Sequence, residues 1–346
     1  MEIDFSLGDL VNPKLYHEPI KIDQYDDDTL KDFYRSILKI RLAEQKLAVE
    51  RKDGVIGGPV HLGVGQEAIA VGVSASLNNR DYIFGAHRSH GHLLAVNPDF
   101  YKLFCEVLGR DDGFSKGMGG SMHLWDGASG FMGSVPIVAG TVPLALGTAL
   151  SSKLSGKRSV SVCYLGDGAV EEGVVHESLN FASVHKLPIV FVVENNLFAS
   201  HMHTSLRQPA DGCFRFALSN KIPFELIDGN DVGLVANVAE TACSRCRDGD
   251  GPFFIEAVTF RWFGHVDWRE DVDVGVNRSQ EDIADWRLRD PLKRLEDAMI
   301  SRGVIGPQYV HAIKSGIEQE IDSSWDLALQ AEFPSEKELL SRVYDD

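Results

Sequence analysis

The chain has 346 residues, 44% of them hydrophobic, and a formal net charge of −17. That length accommodates one large α/β domain or two small ones, with enough apolar sequence for a substantial core. So acidic a balance argues against unaided binding to nucleic acid or to an anionic membrane surface, since both need a basic face. The start, Met1-Glu2-Ile3-Asp4, has neither the basic segment nor the apolar core of a secretory signal. No apolar run approaches the ~20 residues of a membrane span, so a cytoplasmic location is expected. The five cysteines are scattered and odd in number, which speaks against a disulfide framework. Cys243-Ser244-Arg245-Cys246 has Cys-x-x-Cys spacing but stands at the end of an expected helix. It has no second pair and no nearby His, so metal or redox use is not expected of it.

In chain order, residues 1–28 form an acidic, loosely patterned arm suited to pack on a partner subunit. Thr29 can cap the helix that follows, whose apolar faces run from Leu30 to Leu47 until Asp53-Gly54 stops it. Helices are expected at about 66–77, 98–109 and 140–154, separated by loops that carry His and Gly clusters. Strands near 159–166, 188–194, 222–227 and 252–260 then alternate with helices near 171–186 and 231–247. This is the pattern of an α/β fold, a doubly wound, mostly parallel sheet flanked by helices. From about 280, Asp290-Pro291 and the apolar residues after it continue as helix. With no internal repeat and no obvious linker, residues 29–280 read as one domain and 281–346 as its helical extension.

One β-α-β segment carries the chemistry. Arg158 to Leu165 is a β-branched, apolar run that Gly166-Asp167-Gly168 terminates, and Ile189 to Val193 is a second run that ends at Glu194-Asn195-Asn196. A right-handed crossover makes the two strands parallel, so Asp167 and Asn196 come to the same carboxyl edge, where open α/β sheets bind ligands. A carboxylate, an amide oxygen and a nearby carbonyl, for which Phe198 is placed, suit Mg²⁺ completed by phosphate oxygens and water. Taken singly, Gly-Asp-Gly reads as a turn and Asn-Asn as a loop. Their coupling across one crossover gives them weight.

That coupling resembles the thiamin diphosphate motif shared by transketolases, pyruvate decarboxylases and 2-oxo acid dehydrogenases. Six further blocks narrow the family: Gly65-Gln66-Glu67-Ala68, Arg88-Ser89-His90-Gly91, Lys116 to His123, Ile137-Val138, Val142-Pro143-Leu144 and Arg261-Trp262-Phe263-Gly264-His265. Their order is similar to that of the E1 α subunit of pyruvate dehydrogenase-type complexes, over about residues 30–295.

The resemblance implies thiamin diphosphate and Mg²⁺ as cofactors, with Asp167, Asn196 and Phe198 on the metal. It implies that Arg88 and the residue before it contact the diphosphate; that residue is usually Tyr in the family and is His87 here, which can still donate one hydrogen bond. Gly166, Gly168 and Ala169 open the loop into the crossover helix, where small residues let backbone N–H groups approach phosphate. Ile137 and Val138 resemble the segment that grips the aminopyrimidine. Pro136 replaces the usual Gly before them and keeps its carbonyl as an acceptor. His90 and His265 are the candidates for proton handling or transition-state contacts near the cofactor, His265 also for binding the cofactor, while His92, His201 and His203 read equally as structural or surface groups. His123 belongs to the Gly-rich loop resembling the one at the entrance.

The implied activity is decarboxylation of a 2-oxo acid such as pyruvate, with acyl transfer to the lipoyl group of an acyltransferase. The carboxylate that activates the cofactor belongs to a β-type subunit in the family, which implies an α₂β₂ assembly. An acetoin-cleaving or carboligating enzyme of the same family is the alternative; a non-catalytic homologue acting as a scaffold is another. After His265 the family loop carries Ser residues that are phosphorylated in mitochondrial members, whereas this chain reads Val266-Asp267-Trp268-Arg269-Glu270-Asp271. Kinase control through that loop is not expected.

Overall fold

A computed structural model describes residues 4–266, 268–269, 272–273 and 276–338. Of the altered loop after His265, Asp267, Glu270 and Asp271 lie outside the described residues.

Six strands form the central sheet: β1 Tyr82–Phe84, β2 Phe131–Gly133, β3 Ser161–Gly166, β4 Ile189–Asn195, β5 Phe224–Asp228 and β6 Phe253–Val258. Their spatial order is β2-β1-β3-β4-β6-β5, and every neighbouring pair is parallel. The expected doubly wound, parallel α/β arrangement is therefore the observed one. All seven residues of β4 are buried, as a strand covered on both faces requires.

The helices are α1 Asp27–Lys52, α2 Glu67–Ser74, α3 His90–Val96, α4 Phe100–Val107, α5 Val142–Leu154, α6 Gly173–Val184, α7 Phe214–Ser219, α8 Val232–Arg247, α9 Gln280–Leu288, α10 Pro291–Arg302 and α11 Pro307–Gln330. Alternation along the strands divides the core in two. Val162, Tyr164, Val190, Val192 and Ile255 pack with α1–α4, α8, α10 and α11, whereas Cys163, Leu165, Phe191, Val193 and Phe254 pack with α5, α6 and α7.

Several local expectations change. Asp26, not Thr29, caps α1: its carboxylate accepts the Thr29 N–H at 2.8 Å, and its backbone is extended as a cap requires. Strands β1 and β2 and helices α3 and α7 were not anticipated. The arm lies along this chain, with Leu7 packed near Phe260 and Trp286 and with Ile20 and Ile22 in the main core. No helix among the described residues is long and apolar enough to cross a membrane.

Candidate functional site

Because the strands are parallel, their carboxyl ends share one edge, and β3 and β4 are in register up to Gly166 opposite Glu194. Just beyond that edge lies a cavity of about 340 Å³. Asp167, Asn196 and Phe198 all line it, as do Gly166, Gly168 and Ala169.

The Asp167 carboxyl is buried, and burial raises its pKa while the Arg207 guanidinium, in direct contact with it, opposes the rise. Arg207 also contacts Glu171 and lies 3.5 Å from the Asp167 carbonyl. Asn196 Oδ1 accepts the Phe198 N–H at 3.3 Å, and its Nδ2 donates to Gln66 Oε1 at 3.1 Å. Leu197 at φ 69° and Ser200 at φ 56° turn the chain sharply on either side of Phe198. A Cβ on Gly168 would stand 2.6 Å from the Ala199 Cβ, so the close approach of these two segments requires glycine. The donors this edge offers, a carboxylate, an amide oxygen and a carbonyl, are all oxygen and fit Mg²⁺. Asn195 serves the fold instead: its Nδ2 donates to Glu256 Oε1 at 2.7 Å and its Oδ1 accepts the Leu197 N–H at 3.1 Å.

Basic and imidazole groups form another part of the lining. Arg88 Nη1 donates to the Leu62 carbonyl at 2.7 Å, and Nη2 donates to the carbonyl and Nδ1 of His265, each at 3.3 Å. His87 and His265 line the cavity together with His61, which the sequence reading did not select. Their ring centroids are 4.8, 5.1 and 5.2 Å apart. Burial, followed by the Arg88 charge, depresses all three: His61 and His265 to about 2 and His87 to about 3. They are neutral donors and acceptors at physiological pH, not cations.

His90, expected beside the reacting centre, sits behind the cavity wall and does not line it. It is fully buried, with Nδ1 3.2 Å from Glu44 Oε1 and Nε2 2.8 Å from Ser121 Oγ. Glu44 in turn accepts the Gly63 N–H at 2.8 and 3.0 Å. His90 thus braces the segment that carries His61 and Gln66. His92 is likewise buried, 3.1 Å from Glu194 and stacked on Tyr164, while His123 and His201 are exposed. His203 packs its ring against Phe198 with centroids 5.0 Å apart.

Pro136, Ile137 and Val138 line the cavity mouth, where Ile137 is 70% and Val138 48% exposed. Gln66, Met122, Glu172 and Glu194 also line the cavity and were not singled out as site residues. Gln66 and Met122 stood in recognised blocks and Glu194 at the end of the second apolar run, whereas Glu172 is brought in with no local signal. Cys243 and Cys246 on α8 are buried, and burial raises both thiols, Cys243 to about 12. Neither is poised for redox or ligand chemistry.

Residues 35–337 match the family described as the dehydrogenase E1 component. The chain is 35% identical over 315 residues to the α subunit of acetoin:2,6-dichlorophenolindophenol oxidoreductase from Bacillus subtilis (strain 168), covering 90% of this chain and 92% of that protein. It is 34% identical over 318 residues to the pyruvate dehydrogenase E1 component subunit alpha of Rhizobium meliloti (strain 1021), covering 92% and 90%. The corresponding subunit of Zymomonas mobilis subsp. mobilis is 35% identical over 327 residues, covering 92% and 89%.

Proposed function

The chain belongs to the dehydrogenase E1 component family, and from that premise we propose that it is the α subunit of a thiamin diphosphate- and Mg²⁺-dependent E1 enzyme. Its reaction is decarboxylation of pyruvate or a related 2-oxo acid, with transfer of the acyl group to a lipoyl acceptor. One observation carries this reading: Asp167, Asn196 and Phe198 line the same cavity as Arg88, so metal-binding oxygens and a fixed guanidinium flank one space.

When bound, thiamin diphosphate supplies a carbanion and an electron sink. Asp167, Asn196 Oδ1 and the Phe198 carbonyl hold the metal. Arg88 and His87 hold the diphosphate, Arg88 as the charge and His87 as a neutral donor. Gly166 leaves room at the strand end, and the Gly168 and Ala169 N–H groups approach the phosphates. The Pro136 carbonyl and Val138 orient the aminopyrimidine. His265, uncharged in this setting, positions substrate through hydrogen bonds or takes up a proton transiently; His61 shares its environment.

Among the described residues, the carboxylates lining the cavity are Asp167, Glu172 and Glu194. Asp167 is committed to the metal, Glu194 to His92, and Glu172 belongs to the loop into α6. The carboxylate that activates the cofactor is therefore assigned to a β-type partner in an α₂β₂ assembly. In this assignment residues 29–280 form the diphosphate-binding domain and 281–346 its helical extension. Calorimetry of thiamin diphosphate binding, with and without Mg²⁺ and with a β-type partner, tests the site. Metal-dependent binding is expected; none in the assembled complex would leave a scaffold role. Sustained 2-oxo acid decarboxylation by the chain alone would overturn the need for a partner.

The acetoin oxidoreductase subunit matches over a comparable span, which favours a second reading, cleavage of acetoin by the same site. Reductive acylation of a lipoyl domain from a 2-oxo acid supports the first reading. Turnover of acetoin but not of 2-oxo acids supports the second.

A further inference from the structure

His61, His87 and His265 meet at one point of the cavity lining, and their arrangement is more specific than hydrogen bonding to a substrate requires. The three ring centroids form a nearly equilateral triangle with sides of 4.8, 5.1 and 5.2 Å. A metal held by three imidazole nitrogens at ~2.0–2.1 Å in tetrahedral directions sets ring centres roughly 5 Å apart. One nitrogen from each ring lies within 4.8 Å of the others, so sharing an ion requires the rings to turn inward to the roughly 3.3 Å that separates nitrogens of one tetrahedral shell. The Nδ1 of His61, a residue only 6% exposed, is buried with no hydrogen-bond partner. A buried polar nitrogen without a partner is costly, and placing the ring in a metal's coordination shell is one way to use it.

We propose that, in the chain free of thiamin diphosphate, His61, His87 and His265 form a second cation site in this cavity, one that takes a borderline divalent ion such as Zn²⁺ or Co²⁺ together with a small anion as fourth ligand. Imidazole suits such ions and not Mg²⁺, which selects the oxygens of Asp167 and Asn196. The three rings are neutral well below physiological pH, so each has a lone pair to give. The Arg88 guanidinium, which adds to burial in keeping them neutral, also repels a bare cation. The anion resolves this conflict: chloride, hydroxide or a phosphate oxygen on the metal's open position faces Arg88. The 3.3 Å contact between Arg88 Nη2 and His265 Nδ1 is long enough for a metal–nitrogen bond to replace, while the Leu62 carbonyl keeps Arg88 in place.

The test uses the full chain free of thiamin diphosphate, titrated with Co²⁺ in chloride buffer and followed by visible absorption. One equivalent giving the strong d–d band of a four-coordinate ion is expected, displaced by Zn²⁺ and unaffected by excess Mg²⁺. His61→Gln and His87→Gln should each weaken binding by at least the roughly 10–100-fold that loss of a supporting group costs. His201→Gln, on an exposed loop, should leave binding unchanged. A weak six-coordinate spectrum that Mg²⁺ abolishes would place the ion on the oxygen ligands and overturn the proposal, as would the absence of any band. Undiminished binding in folded His61→Gln or His87→Gln protein would overturn it too. The wild-type spectrum separates a four-coordinate site from the oxygen ligands, the one of the two variants that folds assigns the histidines, and none of these readouts depends on catalysis.

Discussion

A methyl group at position 168 would press within 2.6 Å of the Ala199 side chain, two residues before which stands the Leu197 turn that sets Phe198 and Asn196. Gly168→Ala must therefore move the Phe198–Ala199 segment away from Asp167. Overpacking of this kind costs about 1–3 kcal/mol. Here it falls on the distance between the proposed metal ligands, so Mg²⁺-dependent thiamin diphosphate affinity should drop about tenfold or more while the chain still folds; calorimetry on the assembled complex reads it. Glu256 offers a second residue-scale effect. Burial raises it to about 6 from 4.5, outweighing the N–H groups of Cys213 and Phe214 and the Asn195 amide that favour its charge. The folded chain then binds this proton more tightly than the unfolded one, so the stabilisation is complete below about 4.5 and lost as pH rises through 6. The loss is about 2 kcal/mol. Urea unfolding across pH 4.5–7 should show wild type losing that amount of stability relative to Glu256→Gln, because Gln has no proton to release. At this scale Asp167 and Asn196 were legible because each follows a strand end that an apolar run announces. Arg207 was not, since its contact with Asp167 spans 40 residues of chain and nothing local marks it.

Among elements, the Gly-rich loop between α4 and β2 is organised by one helical side chain. Glu106, fully buried on α4, accepts the N–H groups of Ser115 and Gly117 through Oε2 and of Gly119 and Gly120 through Oε1, at 2.6–3.0 Å. Ser121 follows directly and meets His90; Met122 then reaches the cavity. Glu106→Ala removes the acceptor of four donors at once, and each buried donor left unsatisfied costs about 1–3 kcal/mol. Faster amide hydrogen exchange confined to residues 115–122 is expected, together with a lower unfolding temperature. Unchanged exchange there would show that the loop holds its own shape. In the sequence Glu106 is one more polar residue on an expected helix, and its role appears only once the loop folds back over it. The same contrast separates the elements that periodicity reveals from those it does not. β3, β4 and β6 are apolar runs of six or seven residues bounded by breakers, long enough to announce themselves. β1 and β2 have three residues each and exist because β3 offers an edge for β1 to pair with and β1 in turn receives β2. α3 begins inside the Arg88-Ser89-His90-Gly91 cluster, whose Gly and His residues read as a turn; burial of His90, Leu93 and Leu94 makes it a helix.

For the molecule as a whole, the site opens beside apolar surface that the described residues leave exposed. Ile137 and Val138 stand exposed at the cavity mouth, and α5, which begins at Val142, carries Leu144 at 57% and Leu154 at 79% exposure. Leu144, Gly147, Ser151 and Leu154 recur every three or four residues along the outer face of α5, with small residues between two leucines. Small residues at that spacing let a second helix approach closely, and uncovered leucines on one stripe mark an interface more than a solvated face. The opposite face of α5 is already committed, since Val142, Ala145 and Ala149 pack against the sheet. A charge on the outer stripe should consequently affect assembly and not folding. Leu144→Glu is expected to leave the unfolding free energy of the isolated chain within about 0.5 kcal/mol of wild type, as exposed substitutions do. Buried without a partner in an interface, the same carboxylate should weaken association with a β-type subunit by several kcal/mol. Sedimentation velocity of the mixed chains reads this as a shift from a heterotetramer to separate species. Retention of the wild-type assembly by Leu144→Glu would mean that α5 faces water in the complex. The activating carboxylate proposed to come from the partner would then have to enter from the Ile137 side, over the cavity mouth itself.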